Sequence, residues 1–220
     1  MALKKDIISS LLGILVLTLL LGIAYPVIIT GISQVAFPGN ANGQQVFVGG
    51  RLVGSKIIGQ SFADPVVKNG KVTLDKNGNP VTTPDPRYFQ TRPSGTTPAN
   101  NAAASAFANY GPNDKATLQA ITANIQSYLA LEKPYNPGLT VATIPVDAVN
   151  TSASGLDPHI SVANADIQAH RIAAVRHLSL AEVDRMISTY TSGRGLGFSG
   201  EPAVNVLELN LALNRLSQGR

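Results

Sequence analysis

The sequence predicts an α+β domain attached to a single transmembrane helix near the N-terminus. Three observations support this fold class. The stretch from Ile7 to Gly50 has no charged residue, and Ile7 to Ile29 holds fifteen Leu, Ile or Val side chains. Short β-branched runs then flank Gly-Gly and Asn-Gly pairs, which is typical of β-hairpins. Later segments repeat apolar residues every three or four positions, as amphipathic helices do.

The apolar stretch from Ile7 to Ile29 is the predicted membrane anchor. As an α-helix, its 23 residues would span roughly 35 Å, enough to cross a hydrocarbon core of about 30 Å. Pro26 has no backbone N–H, so we expect a kink or a helix end there.

Orientation follows from Lys4, Lys5 and the terminal amine, which precede the anchor. The positive-inside rule keeps this end in the cytoplasm. We therefore expect a cytoplasmic head and anchor over residues 1–32 and an extracytoplasmic domain over residues 33–220, in the plasma (inner) membrane.

Two further features of the anchor bear on its environment. Ser9 with Gly13, and Thr18 with Gly22, are pairs of small residues four apart, a spacing that lets another membrane helix approach closely.

The alternative to a membrane anchor is a cleaved signal peptide ending at Ala24, which would release a secreted binding module. The apolar run continues past that position and favours an uncleaved anchor.

The first half of the domain has turn and strand signals. We expect a loop over residues 38–43, a hairpin around Gly49-Gly50 and a second hairpin in which residues 71–74 and 81–83 flank Asn77-Gly78. Pro84 to Pro112 is predicted to be a long loop. A strand is predicted over Leu139 to Ile144.

Helices are predicted in the second half of the chain. The periodicity of Leu118, Ile121, Ile125 and Leu129 indicates one, capped by Asn113 or Asp114. Others are expected over residues 162–177, from a capping box of Ser179 and Glu182 onward, and over residues 204–216, although alternating leucines make the last segment ambiguous.

Composition excludes several functional classes. The net charge of +4 is scattered, without basic clusters or Trp, so nucleic-acid binding has little support. Cysteine is absent, which rules out disulfides and thiolate sites. Asp157, His159, His170 and His177 are the one group with ligand-like side chains, but capping and surface roles explain them better than a metal site.

Two motifs suggest phosphate chemistry only superficially. Asp75-Lys76-Asn77-Gly78-Asn79 is similar to the phosphorylation loop of P-type pumps, but these residues are also what a hairpin turn requires. Gly195-x-Gly197-x-x-Gly200 matches a nucleotide-binding pattern, but a helix ending near Tyr190 precedes it where that pattern needs a strand. These three glycines are weak candidates for a nucleotide site.

Longer motifs give the chain a family resemblance. They are Ala36-Phe37-Pro38, Gly59-Gln60-Ser61-Phe62, Tyr88-Phe89-Gln90-Thr91-Arg92-Pro93-Ser94, Ser154-Gly155-Leu156-Asp157-Pro158-His159-Ile160-Ser161, Gln168, Arg171, Arg176, Gly195-Leu196-Gly197-Phe198 and the run from Gly200 to Leu213. With them the chain resembles the C subunit of the Kdp potassium-transporting P-type ATPase of bacteria and archaea.

The resemblance implies a non-catalytic accessory subunit that assembles and stabilises the pump. Its implied partners are a potassium-channel-like subunit, a catalytic subunit that hydrolyses ATP and a small membrane subunit. An ATP-binding role that raises the nucleotide affinity of the catalytic subunit is a minor alternative, and we expect no catalytic residue, metal or firmly bound cofactor. Residues 66–87 are predicted to be a hairpin insertion relative to the family, and the stretch after Ser94 also departs from its pattern.

For the partner interface, the sequence favours exposed polar loops. The predicted interface residues are Arg92, Pro93, Ser94, Asp157, Pro158, His159 and Ser161 in the domain, and Ser9, Gly13, Thr18 and Gly22 in the anchor.

Overall fold

The computed structural model describes residues 2–104, 111 and 113–218. The chain forms two compact units, Met1–Val53 and Gly54–Arg220. The predicted fold class is confirmed: the first unit contains a long apolar helix, and the second mixes helices and strands.

The first unit is dominated by one continuous helical segment. It consists of α1 (Ala2–Leu17), a π-helix (Thr18–Ala24) and α2 (Tyr25–Ala36). Leu3–Ala36 contains an 18-residue window with a mean hydropathy of 2.6 and no buried residue, so it is long and apolar enough to cross a membrane once. The helix does not end at Pro26. Instead, the turns before this residue widen, and the Tyr25 N–H bonds to the carbonyl of Leu20, five residues back.

After the anchor, the predicted loop over residues 38–43 contains a single helical turn, α3 (Pro38–Ala41). The Gly49-Gly50 hairpin is confirmed: β1 (Gln45–Val48) pairs with β2 (Arg51–Ser55), and both glycines have positive φ.

The second predicted hairpin is more elaborate than expected. β3 (Ala63–Pro65) pairs with β6 (Thr82–Pro84), and between them β4 (Val67–Lys68) pairs with β5 (Lys71–Val72). The Asn77-Gly78 turn forms, and its flanking residues meet in the bridge between Leu74 and Pro80 and in the hydrogen bond that the Val81 N–H donates to the Thr73 carbonyl at 2.8 Å. Asn69-Gly70, with positive φ at both residues, supplies the extra turn.

Four α-helices and a three-stranded antiparallel sheet form the main elements of the remaining described residues. They are α4 (Lys115–Glu132), β7 (His159–Ser161), α5 (Val162–Arg176), α6 (Leu180–Thr189), β8 (Thr191–Ser192), β9 (Ala203–Asn205) and α7 (Val206–Gln218), with the sheet in the order β7-β9-β8. The predicted helices are confirmed. Asp114 caps α4, and Ser179 and Glu182 form the expected box.

The predicted strand over Leu139 to Ile144 is wrong. Val141–Thr143 is a 3₁₀ helix, in which the Thr143 hydroxyl accepts a hydrogen bond from the Thr140 N–H at 3.1 Å. Local side-chain bonding of this kind competes with strand pairing. The predicted long loop from Pro84 is irregular as far as residue 104, and residues 105–110 and 112 lie outside the described part.

The core lies where α5, α6 and α7 meet the sheet. Its buried members are Phe89, Ile160, Ala165, Ala169, Ile172, Ala173, Val183, Ile187, Val204, Val206, Leu209 and Leu213. Phe89 enters this core from an irregular segment, which makes that segment central to the site described next.

Candidate functional site: a clamped segment and two interlocked loops

Within the part of the chain that the structure describes, the segment Tyr88–Gln90 pairs with no strand, yet side chains bond its backbone from both sides. Asn210 on α7 accepts from the Phe89 N–H at 2.9 Å and donates to the Phe89 carbonyl at 2.9 Å. Gln168 on α5 accepts from the Gln90 N–H at 2.7 Å and donates to its carbonyl at 3.1 Å. These amides replace the ladder that a neighbouring strand would provide. We call Tyr88–Gln90 the clamped segment.

Arg171 completes this clamp from inside the domain. Its fully buried guanidinium donates to the carbonyls of Pro86 and Tyr88 and to Gln168, and it forms an ion pair with Glu132 at 2.9 Å. Both side chains of the pair are 0% exposed. Burial raises the pKa of the Glu132 carboxyl, and the charge of Arg171 opposes that shift. A buried pair of this kind is costly to break by removing one partner.

A second polar cluster extends from Gln168 toward β7. Gln168 donates to Asn164 at 3.0 Å, and Asn164 also accepts from the Tyr128 hydroxyl at 2.9 Å. Asn164 and the Ser161 hydroxyl both donate to Asp147, at 3.0 and 2.7 Å. Helix α4, helix α5 and the segment that contains Asp147 are therefore linked by hydrogen bonds among buried and half-buried polar groups.

Two loops that the sequence predicts to form the partner interface lie against each other. Arg92 donates to the Asp157 carboxylate at 3.2 Å and to the carbonyls of Asn150 and Thr151. The Ser94 hydroxyl donates to the Gly155 carbonyl at 2.7 Å. Residues 92–94 and 155–159 thus form one interlocked structure, not two free loops.

Asp157 is the hub of this structure. Its carboxylate also accepts from the His159 N–H at 2.9 Å and lies 3.5 Å from the His159 ring. Burial alone would raise its pKa, but the hydrogen bonds from His159 and Arg92 outweigh burial and hold the pKa below its ordinary value. The carboxylate is therefore ionised at neutral pH and able to pair with Arg92.

A third segment packs closely against the same loops. The Gly59 N–H donates to the Leu156 carbonyl at 2.7 Å. A Cβ at residue 59 would lie 2.7 Å from the Asp157 carbonyl oxygen and 2.9 Å from the Asn100 amide oxygen, so only glycine allows this approach.

The structure therefore brings together part of the predicted partner interface. Arg92, Ser94, Asp157 and His159 are neighbours and half-buried, whereas Pro158 is buried and Ser161 bonds internally to Asp147. Their contact with a partner stays a prediction, because their main visible contacts are with each other. Ser9, Gly13, Thr18 and Gly22 lie exposed on the helix of the first unit, and their contact with a partner helix is likewise untested.

A cleft of about 240 Å³ lies beside the interlocked loops. Its lining includes Arg92, Ser94, Asn100, Ser127 and Tyr128. The donors and acceptors nearby are mostly engaged within the protein, as the bonds of Ser94 and Tyr128 show.

The two motifs that resemble phosphorylation and nucleotide-binding motifs lie in turns. Asp75 accepts from the backbone N–H groups of Asn77 and Asn79, which makes a closed turn as predicted. Gly195, Gly197 and Gly200 lie in the exposed connection between β8 and β9, six or more residues before α7 begins. This is a strand-to-strand turn and not the strand-to-helix turn of a dinucleotide site. ATP binding stays an untested expectation.

The sequence reading missed the roles of Glu132, Asn164 and Asn210. A signal was present for the α5 residues, because Asn164, Gln168 and Arg171 lie at helical spacing among Ala165, Ala169 and Ile172, which form the buried face. Polar residues on an apolar stripe indicate buried hydrogen bonding.

Comparison with known proteins identifies the family. The family model for the c chain of the K+-transporting ATPase, KdpC, matches residues 7–215. The potassium-transporting ATPase KdpC subunit of Methylococcus capsulatus is 45% identical over 208 residues, which cover 94% of this chain and 96% of that protein. That of Methylibium petroleiphilum is 45% identical over 207 residues, covering 94% and 95%.

A relative from Mycobacterium bovis with the same description is 40% identical over 214 residues, covering 97% of this chain and 100% of that protein. The matches span both the apolar helix and the domain, so the resemblance drawn from the sequence motifs is confirmed. The chain belongs to the KdpC family of subunits of the potassium-transporting ATPase.

Proposed function

We propose that this chain is a non-catalytic accessory subunit that assembles and stabilises a potassium-transporting P-type ATPase. It binds the potassium-channel-like subunit, and the catalytic subunit and a small membrane subunit complete the complex. Its N-terminus is cytoplasmic, and its domain lies on the extracytoplasmic side of the plasma (inner) membrane.

One observation carries the accessory role. Polar side chains in the motifs that carry the family resemblance hold this domain together. Arg171 pairs with Glu132, Arg92 pairs with Asp157, and Asn210 binds the backbone of Phe89. Catalytic groups need to face a substrate, whereas these groups face their own chain. A domain whose polar side chains bond to each other and to its own backbone is suited to a structural subunit.

The helix Leu3–Ala36 supports membrane assembly. No residue of this helix is classed as buried within this chain, and its 34 residues, at about 1.5 Å per residue, extend beyond a hydrocarbon core of about 30 Å. Lys4 and Lys5 at its start favour a cytoplasmic N-terminus. The small residues along the helix permit close approach of a neighbouring helix.

Deleting the chain from cells that produce the rest of the pump tests the assembly role. We expect the remaining subunits to copurify poorly and potassium-stimulated ATPase activity to fall, and re-expression of the intact chain to restore both. A deletion strain whose pump keeps its subunits and its full activity would contradict the proposal.

Protease accessibility tests the orientation. In sealed spheroplasts, an external protease should digest residues 54–220, and a cytoplasmic marker protein should stay intact. Digestion of the domain only after the membrane is opened would place it in the cytoplasm and refute the orientation.

A further inference from the structure

The turn of residues 193–200 presents two large apolar side chains to solvent. Leu196 is 90% exposed and Phe198 is 74% exposed, and the Leu196 value is the highest of any large apolar side chain in the described residues. Neither residue belongs to the core cluster. Removing large apolar side chains from water lowers the free energy. A partner that covers Leu196 and Phe198 would therefore be bound favourably.

The backbone at Leu196 adds a second observation. Its φ is +53°, in the left-handed region that glycine adopts readily and leucine does not. Glycine stands on both sides, at residues 195 and 197. The position therefore holds a large side chain where the backbone alone would favour a third glycine, which indicates that the leucine side chain has a role.

The turn is also rigidly built. The Gly195 N–H donates to the Ser199 carbonyl at 2.7 Å, and the Ser199 N–H donates back to the Gly195 carbonyl at 2.8 Å. Its two arms continue into β8 and β9, where Thr191 pairs with the buried Val204. Leu196 and Phe198 are thus held in fixed positions before any partner arrives, which lowers the entropy cost of binding.

The charges of the turn indicate the kind of partner. Arg194 forms an ion pair with Glu201 at 2.6 Å, and no other charged residue lies between them. The turn is therefore electrically neutral. Membrane-inserting segments instead combine apolar side chains with unpaired Lys or Arg and with Trp or Tyr at the interface, whereas an apolar centre with a polar rim is typical of protein interfaces.

We propose that the turn of residues 193–200 inserts Leu196 and Phe198 into an uncharged apolar pocket on another subunit of the same pump. This inference rests on the proposed function, because it assumes that the chain is bound within the complex. It assigns the Gly195-Leu196-Gly197-Phe198 motif to subunit docking and places the contact away from the interlocked loops around Arg92.

Paired variants of the full chain in the assembled pump test this docking. Leu196→Ala with Phe198→Ala should lower the amount of this chain retained on the pump after detergent extraction by about tenfold. The matched control is Leu118→Ala with Val146→Ala, which removes two side chains that are 68% and 72% exposed elsewhere. Equal retention of both double variants would overturn the docking role.

Leu196→Gly separates docking from folding. It should relieve the strained backbone and raise the thermal unfolding midpoint of the detergent-solubilised chain, while retention on the pump falls. A rise in both quantities would overturn the proposal.

A photo-crosslinking residue at position 198 identifies the occupant. Crosslinks to another pump subunit would support the proposal, whereas crosslinks only to lipid or to a second copy of this chain would overturn it. Failure of docking with intact assembly leaves the accessory function standing, because chain deletion tests that function independently.

Discussion

Two neighbouring segments of the domain lack long strands but are held in opposite ways. Residues 63–84 are mostly exposed and are ordered by short ladders and turns within the segment itself. The clamped segment Tyr88–Gln90 is ordered by side chains 78 to 121 residues away, on α5 and α7. Phe89 is 0% exposed, so this segment is part of the core despite its irregular backbone.

The difference teaches that an irregular backbone does not mark a peripheral part of this protein. What matters is whether the backbone groups are satisfied locally or by distant buried side chains. Damage to the clamped segment should therefore spread through the whole domain, whereas damage to residues 63–84 should stay local.

The largest effect is expected from Arg171→Met. This change leaves Glu132 buried without its ion-pair partner and removes the hydrogen bonds that Arg171 donates to the carbonyls of Pro86 and Tyr88. We expect the free energy of unfolding to fall by about 3–5 kcal/mol, measured by chemical denaturation of the detergent-solubilised chain.

Arg185→Met is the matched control for this experiment, because Arg185 is exposed on α6. It should change the unfolding free energy by less than about 0.5 kcal/mol. Similar losses in the two variants would mean that the buried pair has no special weight in the domain.

Asn210→Ala should have the next largest effect. It removes both bonds to Phe89 and leaves a buried N–H and a buried carbonyl without partners, which should cost about 2–4 kcal/mol. Gln126→Ala, an exposed amide on α4, is the control. Hydrogen exchange offers a second check, since the Phe89 amide should lose protection in the Asn210 variant and keep it in the control.

Much of the local structure was predictable from the sequence. The long apolar helix, the Gly49-Gly50 hairpin, and the caps at Asp114 and Ser179 depend on neighbouring residues, and all four are confirmed. The expected strand over residues 139–144 failed for a related reason, because bonding between Thr140 and Thr143 decided the conformation locally.

The candidate site was only half predictable. The sequence indicated the segments around Arg92 and Asp157 as exposed loops of a partner interface but did not indicate that they bind each other, as they do. The amides that hold Phe89 and Gln90 come from helices far along the chain. No local pattern could indicate that pairing, because it depends on how α5 and α7 pack against the sheet.

The dependence of stability on acid pH tests Asp85, which lies between residues 63–84 and the clamped segment. Hydrogen bonds from Arg87 hold the pKa of Asp85 below its ordinary value. A lowered carboxyl pKa stabilises the folded state above the unfolded value of about 4, and this contribution is lost as pH falls through the folded value.

Asp85→Asn should therefore cost about 1 kcal/mol at neutral pH and should lose less stability than the native chain between pH 6 and pH 2.5. The comparison uses thermal unfolding midpoints across that range. Parallel curves for the two proteins would show that Asp85 contributes nothing to the acid sensitivity.

The smallest effect is expected from shortening residues 63–84. Pro65 and Thr82 face each other at the end of the β3–β6 ladder, so a two-residue Asn-Gly turn could replace residues 66–81. The removed part is ordered mainly by its own turns, and few of its side chains are buried. The unfolding free energy should change by less than about 1 kcal/mol. A loss as large as that of Arg171→Met would mean that these residues are as integral to the core as the clamped segment, and the contrast between the two would fail.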